Sequence, residues 1–537
     1  MNSRGLAAAA LVVLFSVIYG LTLVPGIGLT GDSIKFQYIG RVLGVPHSTG
    51  YPVYLVLSHL FTGLPVKSVA FRANLLSAVF AVLTIAVLCL ILGRLTGSAG
   101  TAFVAAAFFG LTVTFWSQAV VAEVYTLAAF FLALVFWTLI EWQVTGKSGA
   151  LIAFLFAYGL SLGNHLTIIA CLPAVLVFVI LVQAKVFGRR KLWLFGSAAL
   201  AAGLGSYGLL FLRTAQGAPY LEHEVRSFRD LLFLVTGHQF QDQMFAFSAK
   251  ELLVDRIPLF IRMVIRDLTW PGLVIALAGL VFLFLRKRKV FALIFLALAG
   301  ETIWILSTDI RDIQMHMIPV SLILCLAAGF GIFSLMSLAR KHLSPWLPLV
   351  FIPFLAWLGT VNASEIDLGR NPAYRARLEQ DRRLDALFQG IPPYSLILTD
   401  NYPDTQNVHY KRLIDYPEKN VIPHLLNPRE PLASQLGTKL VVSLQTLPGL
   451  QERLGLAEEL ENMKGRSREA VGLRLLHLIR TDRGIQKGFA AHVYAATDDV
   501  RKKIAAAGIP IAPFTVRMSE EGRLYLFHRV SLFDPRE

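Results

Sequence analysis

Long apolar runs separated by short polar loops fill the chain up to about residue 361. Several runs extend over about 20 residues with hardly any charge, which is the length that a helix needs to cross the hydrocarbon core of a membrane. The pattern predicts about eleven membrane-spanning helices, at residues 6–24, 70–93, 101–116, 122–141, 150–163, 165–183, 192–212, 271–285, 290–307, 315–338 and 345–361. A closed membrane β-barrel would show short alternating segments instead. We therefore predict an α-helical polytopic membrane protein.

Three segments outside the apolar runs are too long to be simple turns: residues 25–69, residues 213–270 and the tail from 362 to 537. The first combines prolines and glycines with apolar residues, which predicts short interfacial helices and turns. The tail is more polar and is long enough to form a core of its own. We expect a transmembrane domain over residues 1–361, with outer loops 25–69 and 213–270, and a small soluble α/β domain over residues 362–537.

The tail contains patterns of both strands and helices. Runs rich in apolar and β-branched residues are typical of strands, and they lie at Tyr394–Thr399, Lys439–Leu444 and Leu524–His528. The stretch Ala457–Met463 is typical of a helix.

Basic residues in the short loops predict the orientation of the chain in the membrane. With the N-terminus in the cytoplasm, the short basic loops all fall on the cytoplasmic side, as the positive-inside rule requires. These loops contain Arg94, Lys147, Lys185, Arg189–Lys191, Arg286–Lys289, and Arg340 with Lys341. An odd number of spans then leaves the C-terminal domain outside the cytoplasm.

The composition agrees with a membrane protein and limits the choice of partners. The chain is 55% hydrophobic and only 16% charged, and its mean hydropathy is +0.60. Its net charge of +15 comes largely from the cytoplasmic loops, so we predict membrane lipids as partners and no nucleic acid. The cysteines at 89, 171 and 325 lie in apolar runs, where they are expected to be small buried residues.

Polar residues near the predicted spans gather at the outer helix ends. Ionisable side chains at membrane depth are costly and usually face a cavity or a partner. A site at the outer leaflet would produce such a pattern, although ordinary helix ends carry polar residues too. The group consists of Asp32, His47, Arg72, Glu123, Asn164, His165, Arg213, Asp309, Arg311 and Asp312.

Each of these candidates has a functional and a structural interpretation. A carboxylate at Asp32 can accept a proton from an acceptor hydroxyl or bind a divalent metal, or it can cap a helix. The segment His47–Pro52 can bind phosphate or sugar hydroxyls, with Tyr51 stacked on a sugar ring, or it can be a turn on the membrane surface. Glu123 should have a partner such as Arg72 or His165, because an unpaired buried carboxylate is costly.

The remaining candidates divide in the same way. Asn164 and His165 interrupt an apolar region, where they can bind a ligand or make a hydrogen bond between helices. The guanidinium groups of Arg72 and Arg213 suit a phosphate, but each could anchor its helix at the headgroups instead.

The sequence has no P-loop, no Gly-x-Ser-x-Gly elbow and no His-Glu-x-x-His zinc helix. An outward-facing site also lacks access to cytoplasmic nucleotide sugars, so an activated donor there would be carried by a lipid.

A series of motifs, in order, resembles the former domain-of-unknown-function membrane family that includes the transmembrane-protein-260 type of protein O-mannosyltransferase. The resemblance covers roughly residues 20–245, and Asp309–Pro319 and Leu398–Asn401 are similar more loosely. The motifs are Gly31–Ser33, His47–Pro52, Phe71–Ala78, Trp116–Tyr125, Gly163–Thr167 and Val235–Phe240.

The resemblance implies a GT-C glycosyltransferase architecture that uses a polyprenyl- or dolichyl-phosphate sugar at the outer leaflet. It implies that Asp32 is the acidic catalytic residue of the first outer loop, and that His47, Arg72, Glu123, Asn164 and His165 belong to the site. Two positions depart from the family pattern: Lys35 stands where a glutamate is common, and Ser48 where a proline is common. The first departure puts in doubt any mechanism that needs two acids or a metal there.

We therefore predict transfer of a hexose, such as mannose, from a polyprenyl-phosphate donor to a protein or glycan hydroxyl outside the cytoplasm. Asp32 would be the general base, Arg72 or Arg213 would bind the lipid phosphate, and His47, Tyr51 and Glu123 would orient the sugar or acceptor. No cofactor is predicted, and a divalent metal stays open. The short loops and the family's abundance in bacteria favour a bacterial inner membrane with the tail in the periplasm.

Two alternatives remain open at this point. A transporter or flippase of lipid-linked glycans should carry charged residues near the bilayer midplane and consist of related halves, and the sequence predicts neither. A structural subunit of an envelope-assembly complex would tolerate replacement of Asp32.

Overall fold

The computed structural model describes most of the chain, in two compact units. The described residues are 3–310, 312–339, 351–366, 371–393, 395–399, 401–425, 452, 455–462, 474, 477–478, 482–483, 485, 493–496, 514–518 and 525–529. One unit consists of Met1–Gly26 with Ile39–Arg370, and the other of Ile27–Tyr38 with Asn371–Glu537. The boundary at residues 361 and 362 stays a prediction, but the grouping of residues 27–38 with the tail was not foreseen.

Helices make up the first unit, and one further helix, α2 (Gly31–Val42), has residues in both units. Those before residue 190 are α1 (Ser3–Thr22), α3 (Pro52–Thr62), α4 (Val69–Thr96), α5 (Ala99–Gly110), α6 (Val113–Ala119), α7 (Tyr125–Thr145), α8 (Ser148–Leu162) and α9 (Leu172–Gln183). Those from residue 190 onwards are α10 (Arg190–Leu204), α11 (Gly208–Ala215), α12 (Phe228–Val235), α13 (Ala249–Glu251), α14 (Ile257–Arg286), α15 (Arg288–Ser307), α16 (Ile318–Ala339) and α17 (Phe351–Ile366).

The chain is a multi-pass membrane protein. Among the described residues, 8 helical segments are long and apolar enough to cross a membrane, or 9 if α5 and α6, bent by 72°, count as one span. The segments are Ser3–Thr22, Val69–Thr96, Tyr125–Thr145, Leu166–Gly188, Arg190–Ala215, Ala249–Arg286, Arg288–Ser307 and Met315–Leu338. The predicted span 150–163 corresponds to the shorter helix α8, and the first part of the predicted span 345–361 lies outside the described residues.

Helix ends and glycine contacts explain the local packing. Helix α4 begins after Ser68, whose hydroxyl accepts the N–H of Phe71, and it ends at Gly97, which has a φ of 73°. Helices α14 and α16 approach each other closely, because a Cβ added at Gly279 would lie 1.8 Å from the carbonyl oxygen of Ala327. Small residues allow this backbone approach between membrane helices.

Asn74 of α4 joins two turns that carry candidate site residues. Its amide nitrogen donates to the carbonyls of Val24 at 2.8 Å and Gly26 at 3.2 Å, and its oxygen accepts the N–H of Ala122 at 2.9 Å. One turn further along α4, the hydroxyl of Ser77 accepts the backbone N–H of Glu123 at 3.1 Å. These bonds hold the turn between α6 and α7 in place.

The second unit contains a small α/β core. Strands β1 (Leu396–Thr399), β2 (Ile422–Leu425) and β3 (Val493–Ala495) form a parallel sheet of order β2-β1-β3, and β4 (Phe514–Met518) pairs antiparallel with β5 (Tyr525–Arg529). Its helices are α18 (Pro372–Gly390), α19 (Tyr402–Tyr410) and α20 (Ala457–Asn462). Apolar side chains of α18, α19 and the sheet form its core, among them Leu387, Phe388, Ile397, Val408 and Tyr494.

Three of the predicted tail elements coincide with observed ones. Strand β1 lies within the predicted strand 394–399, β5 overlaps the prediction at 524–528, and α20 overlaps the predicted helix 457–463. The predicted strand Lys439–Leu444 lies outside the described residues, as do Tyr394, Met463 and Leu524.

Candidate functional site

Asp32 lies in the first turn of α2, but the capping bonds there belong to its neighbours. Ser33 donates its backbone N–H to the hydroxyl of Thr30 at 3.1 Å, and Thr30 donates its backbone N–H to the hydroxyl of Ser33 at 3.2 Å. The Asp32 side chain is 42% exposed. Its carboxylate therefore remains accessible for chemistry at the helix N-terminus, where the helix dipole also favours an anion.

The Asp32 carboxylate belongs to a three-residue network with Lys35 and Tyr402. The Nζ of Lys35 lies 3.2 Å from Oδ1 of Asp32 and donates to the hydroxyl of Tyr402 at 2.6 Å. The same hydroxyl donates to Oδ1 of Asp32 at 3.2 Å. The Lys35 side chain is 0% exposed. We call these three residues the Asp32 network.

Contacts within the second unit hold Tyr402 against α2. A Cβ added at Gly31 would lie 2.1 Å from Cδ1 of Tyr402, so a glycine is needed where the ring packs. One turn further along, the Tyr38 hydroxyl donates to Oε1 of Gln406 at 2.6 Å. Helix α19 begins after Asn401, whose side chain accepts the N–H of Asp404 at 2.9 Å. Both sides of the Asp32 network are thus fixed by capped helices.

The first unit brings three histidines and two tyrosines together. The ring of Tyr125 lies 5.7 Å from that of His165 and 5.5 Å from that of His316, and the two histidine rings are 5.6 Å apart. Tyr51 joins the group with its ring 6.2 Å from His165 and 5.5 Å from His47. We call these five residues the histidine cluster.

Two acidic side chains accept hydrogen bonds from residues of the histidine cluster. Glu222 accepts the backbone N–H of His47 at 3.0 Å, and its Oε2 lies 3.9 Å from Nδ1 of the same histidine. The Tyr125 hydroxyl donates to Oδ2 of Asp312 at 3.2 Å. Tyr51 has a left-handed backbone with a φ of 44°. A non-glycine residue in this region of φ/ψ space is strained, and such strain is frequent at binding sites.

His165 is held in one neutral form. Burial, followed by the nearby charges of His316 and His47, lowers the pKa of its imidazole to about 3. Its Nδ1 accepts the backbone N–H of Thr167 at 3.4 Å and lies 3.0 Å from the Thr167 hydroxyl. An Nδ1 that accepts a hydrogen bond leaves the proton on Nε2. His165 is therefore a neutral donor through Nε2.

Several buried polar atoms around the cluster have no hydrogen-bond partner among the described residues. They are Oγ of Ser48, Oδ1 of Asn164 and Nδ1 of His316. More than nine in ten such buried groups are satisfied in folded proteins. A polar ligand bound at the histidine cluster would satisfy these three atoms, although other buried polar atoms without a partner are spread over the described part of the chain.

Arg72 and Arg213 make structural contacts that differ from the predicted phosphate contacts. Arg213 donates to the carbonyls of Leu43 at 2.8 Å and Val42 at 3.0 Å, where α2 ends. Arg72 donates to the carbonyls of Ser68 and Leu64 at the start of its own helix. The phosphate role of both arginines stays a prediction.

Glu123 and Asn164 lie on neighbouring turns of the first unit. Glu123 is buried, and its backbone is fixed by Ser77 as described above. Asn164 donates to the carbonyl of Val124 at 3.2 Å, which ties its turn to that of Glu123. Within the described part of the chain, no group of 3 or more His, Cys, Asp or Glu side chains has the geometry of a metal site.

Sequence reasoning did not single out Tyr402, His316 or Glu222. Glu222 lies in a polar loop with several other charges and had no distinctive local signal. His316 lies within the loosely similar stretch 309–319, and Tyr402 follows the loosely similar stretch 398–401, which were the only hints.

Comparisons with known proteins show what the chain resembles. Residues 32–187 match the family described as Protein O-mannosyl-transferase TMEM260 N-terminal domain. The Protein O-mannosyl-transferase TMEM260 of Mus musculus is 32% identical over 203 residues, which is 36% of this chain and 28% of that relative. The crystal structure of ArnT from Cupriavidus metallidurans bound to undecaprenyl phosphate has a TM-score of 0.55 at 13% identity and covers 82% of this chain and 88% of that one.

The fold defines the class of the protein: it is a polytopic membrane protein with a fold similar to that of ArnT. The resemblance expected from the motifs is confirmed, since residues 32–187 match the description of the TMEM260 N-terminal domain. The chain spans 28% of the length of the TMEM260 relative from mouse.

Proposed function

We propose that this protein is a GT-C-type glycosyltransferase. In this proposal it moves a hexose, with mannose as the first candidate, from a polyprenyl-phosphate-linked donor to a hydroxyl of a protein or glycan outside the cytoplasm. The name of the mouse relative supports mannose and a protein acceptor, and the undecaprenyl phosphate named for the ArnT structure supports a lipid-linked donor. The N-terminus is proposed to be cytoplasmic and the tail periplasmic, in a bacterial inner membrane.

The proposed reaction exchanges one bond at the sugar. The acceptor oxygen forms a bond to C1 of the hexose while the bond between C1 and the phosphate oxygen breaks. The bonding electrons leave with polyprenyl phosphate, and the acceptor proton passes to a general base. Phosphate is a good leaving group, so the departing oxygen needs no separate proton donor. The products are the glycoside and polyprenyl phosphate.

Asp32 carries the proposal as the general base. Its carboxylate is partly exposed, stands at a helix N-terminus and is oriented by two hydrogen-bonding neighbours. A base must reach the proton that it accepts and keep a defined orientation. The segment that matches the TMEM260 domain also begins at this residue.

The histidine cluster is proposed to bind the sugar. Aromatic rings provide flat apolar faces for a pyranose ring, and neutral histidines and hydroxyls provide hydrogen bonds without a charge. His47, Tyr51 and His165 fit this role, and Asn164 has a buried oxygen that a sugar hydroxyl would satisfy. Glu123 is proposed to orient the sugar or the acceptor, and Arg72 or Arg213 is proposed to bind the lipid phosphate. The arginines would have to exchange their carbonyl contacts to bind a phosphate.

Stoichiometry in vesicles tests the proposal. Purified protein in proteoliposomes would receive polyprenyl-phosphate mannose or glucose labelled in the sugar, with a hydroxyl-bearing peptide or glycan acceptor. One polyprenyl phosphate released for each labelled product is the expected result with one of the donors. Donor that remains intact, whichever sugar it carries, would contradict the proposal.

One observation favours transport as a second candidate. The sequence was expected to have no charged residue near the bilayer midplane, but Glu301 is buried inside α15 and accepts a hydrogen bond from the thiol of Cys171 at 3.3 Å. Buried carboxylates at membrane depth often belong to transport pathways. Movement of intact labelled donor between leaflets, lost on Glu301→Gln substitution, would support a flippase over a transferase.

A further inference from the structure

Lys35 is a fully buried cation beside a partly exposed carboxylate. Its side chain is 0% exposed, whereas that of Asp32 is 42% exposed. Burying an ammonium is costly unless anions and hydrogen-bond acceptors surround it. The desolvation cost of burying Lys35 arises beside Asp32, the acid that the proposed function uses as its base. This position indicates that Lys35 acts on Asp32 in addition to any contribution to folding stability.

Tyr402 links the two charges. Its hydroxyl accepts a hydrogen bond from Lys35 at 2.6 Å and donates one to Oδ1 of Asp32 at 3.2 Å. Lys35 also lies 5.3 Å from the centroid of the Tyr402 ring. The three groups form a closed ring of contacts, so a rotation of any one side chain breaks two of them. Such a ring holds a carboxylate in a single orientation.

The cation also determines what else can bind at this oxygen. With the Nζ of Lys35 3.2 Å from Oδ1, one side of the carboxylate already faces a positive charge. A divalent ion bound to the same oxygen would be repelled by the ammonium at short range, where the Coulomb energy is large. The Lys35 ammonium therefore opposes the binding of a divalent ion at this oxygen of Asp32.

We infer that Lys35 and Tyr402 are positioning residues for Asp32, and that the Lys35 ammonium supplies the positive charge that makes sugar transfer at Asp32 independent of a divalent metal. The inference rests on the proposed function, because Asp32 acts there as the base. It assigns to the tail, through Tyr402 of α19, the orientation of the catalytic carboxylate.

Two variants and their matched controls test the positioning role. Lys35→Met removes the charge and Tyr402→Phe removes only the hydroxyl. Tyr416→Phe is the control for the second, because the Tyr416 hydroxyl donates to an aspartate of the same unit, Asp385, at 3.3 Å. Lys419→Met is the control for the first, because Lys419 donates to the carbonyl of Ile391 at 2.9 Å.

The readout separates positioning from folding. A misplacement of about 1 Å in a catalytic geometry can cost on the order of 100-fold in rate, so we expect a fall of about 10- to 100-fold in kcat for Lys35→Met and about 10-fold for Tyr402→Phe. The KM for the lipid donor should change less than about threefold, because neither residue is assigned to donor binding. Both controls should keep the wild-type kcat. Methylammonium should restore part of the activity of Lys35→Ala, which a purely structural role does not predict.

Metal removal tests the second half of the inference. Wild-type transfer should be unchanged after treatment with EDTA and should not rise when Mg²⁺ or Mn²⁺ is added. Loss of transfer in EDTA with recovery on metal addition would overturn metal independence. Wild-type kcat in both Lys35→Met and Tyr402→Phe, alongside an inactive Asp32→Asn, would overturn the positioning role alone.

Failure of the proposed function has a different signature. It would appear as a wild type that transfers no sugar, irrespective of the variants. Should Lys35→Met fail to insert into the membrane, Tyr402→Phe decides the positioning role, because it keeps the ring that packs on Gly31.

Discussion

The neutral form of His165 makes a prediction that can be measured without knowing the substrate. Burial, with the charges of His316 and His47, lowers the pKa of His165 to about 3, against about 6.5 for an unfolded histidine. Because the folded pKa is depressed, the unfolded chain takes up the proton first as the pH falls. The stabilising contribution of neutral His165 is therefore complete above about pH 6.5 and is lost progressively as the pH falls towards 3.

The size of the effect follows from the pH interval. Each pH unit below 6.5 costs about 1.4 kcal/mol, so a change from pH 7.5 to 5.0 would cost about 2 kcal/mol if the ring were fully buried. His165 keeps some solvent exposure, which reduces the expected loss to about 1 kcal/mol. For a chain of 537 residues, the unfolding entropy is about 1.1 kcal/mol/K, so about 1 kcal/mol corresponds to a shift of roughly 1 °C in Tm.

The assay compares apparent Tm values in lipid nanodiscs at pH 7.5 and pH 5.0. His165→Gln keeps a polar side chain that does not titrate, so its Tm should fall by about 1 °C less than that of the wild type over this interval. His238→Gln is the matched control, because His238 is exposed and lies outside the histidine cluster. If His165→Gln loses as much as the wild type, His165 is not held neutral and its role as an Nε2 donor is refuted.

Three further substitutions should affect stability through contacts described above. Asn74→Ala removes the hydrogen bonds to the turns at Val24 and Ala122 and leaves the Ala122 N–H unpaired. The apparent Tm should therefore fall by an amount equivalent to about 2–3 kcal/mol. An unchanged Tm would contradict these contacts. Gly279→Ala places a methyl against the Ala327 carbonyl and should cost about 1–3 kcal/mol by overpacking, measured in the same way. Burial opposes the charge of Lys411, but three nearby carboxylates raise its pKa. Lys411→Met should therefore destabilise the tail by about 3–5 kcal/mol, measured as faster cleavage of the tail by a protease. In the wild type, the stabilisation by the charged lysine should persist up to about pH 10 and be lost only as the pH rises further. The carboxylates are those of Asp381, Asp415 and Asp385.

The membrane spans were predictable because apolar length is a local property of the chain. The predicted single span 101–116 proved to be two helices, α5 and α6, with a bend of 72° between them. Helix α14 is broken at Thr269, whose φ of 61° and ψ of 164° are not helical, and the predicted span 271–285 begins directly after this break. The part before the break carries Arg262 and Arg266, so it has no apolar pattern from which a span could be predicted.

The candidate site was predictable only in part. The motifs pointed to Asp32, His47, Tyr51 and His165, because each stands in a recognisable short pattern. The partners of these residues could not be found in the same way. Tyr402 is 370 residues away from Asp32, and a single sequence contains no signal that pairs two such distant positions. Lys35 was noticed as a departure from the family pattern, but its role depends on that distant contact.

Transfer by Asp32→Asn tests the central claim most directly. Asp385→Asn is a suitable control, because Asp385 is 36% exposed and lies 2.7 Å from the Nζ of Lys411, an arrangement similar to that of Asp32 and Lys35. Both variants would be inserted into vesicles, checked for Tm, and supplied with labelled polyprenyl-phosphate mannose and, separately, glucose. The account predicts label in the acceptor for the wild type and Asp385→Asn and none for Asp32→Asn. Equal transfer by Asp32→Asn would contradict it.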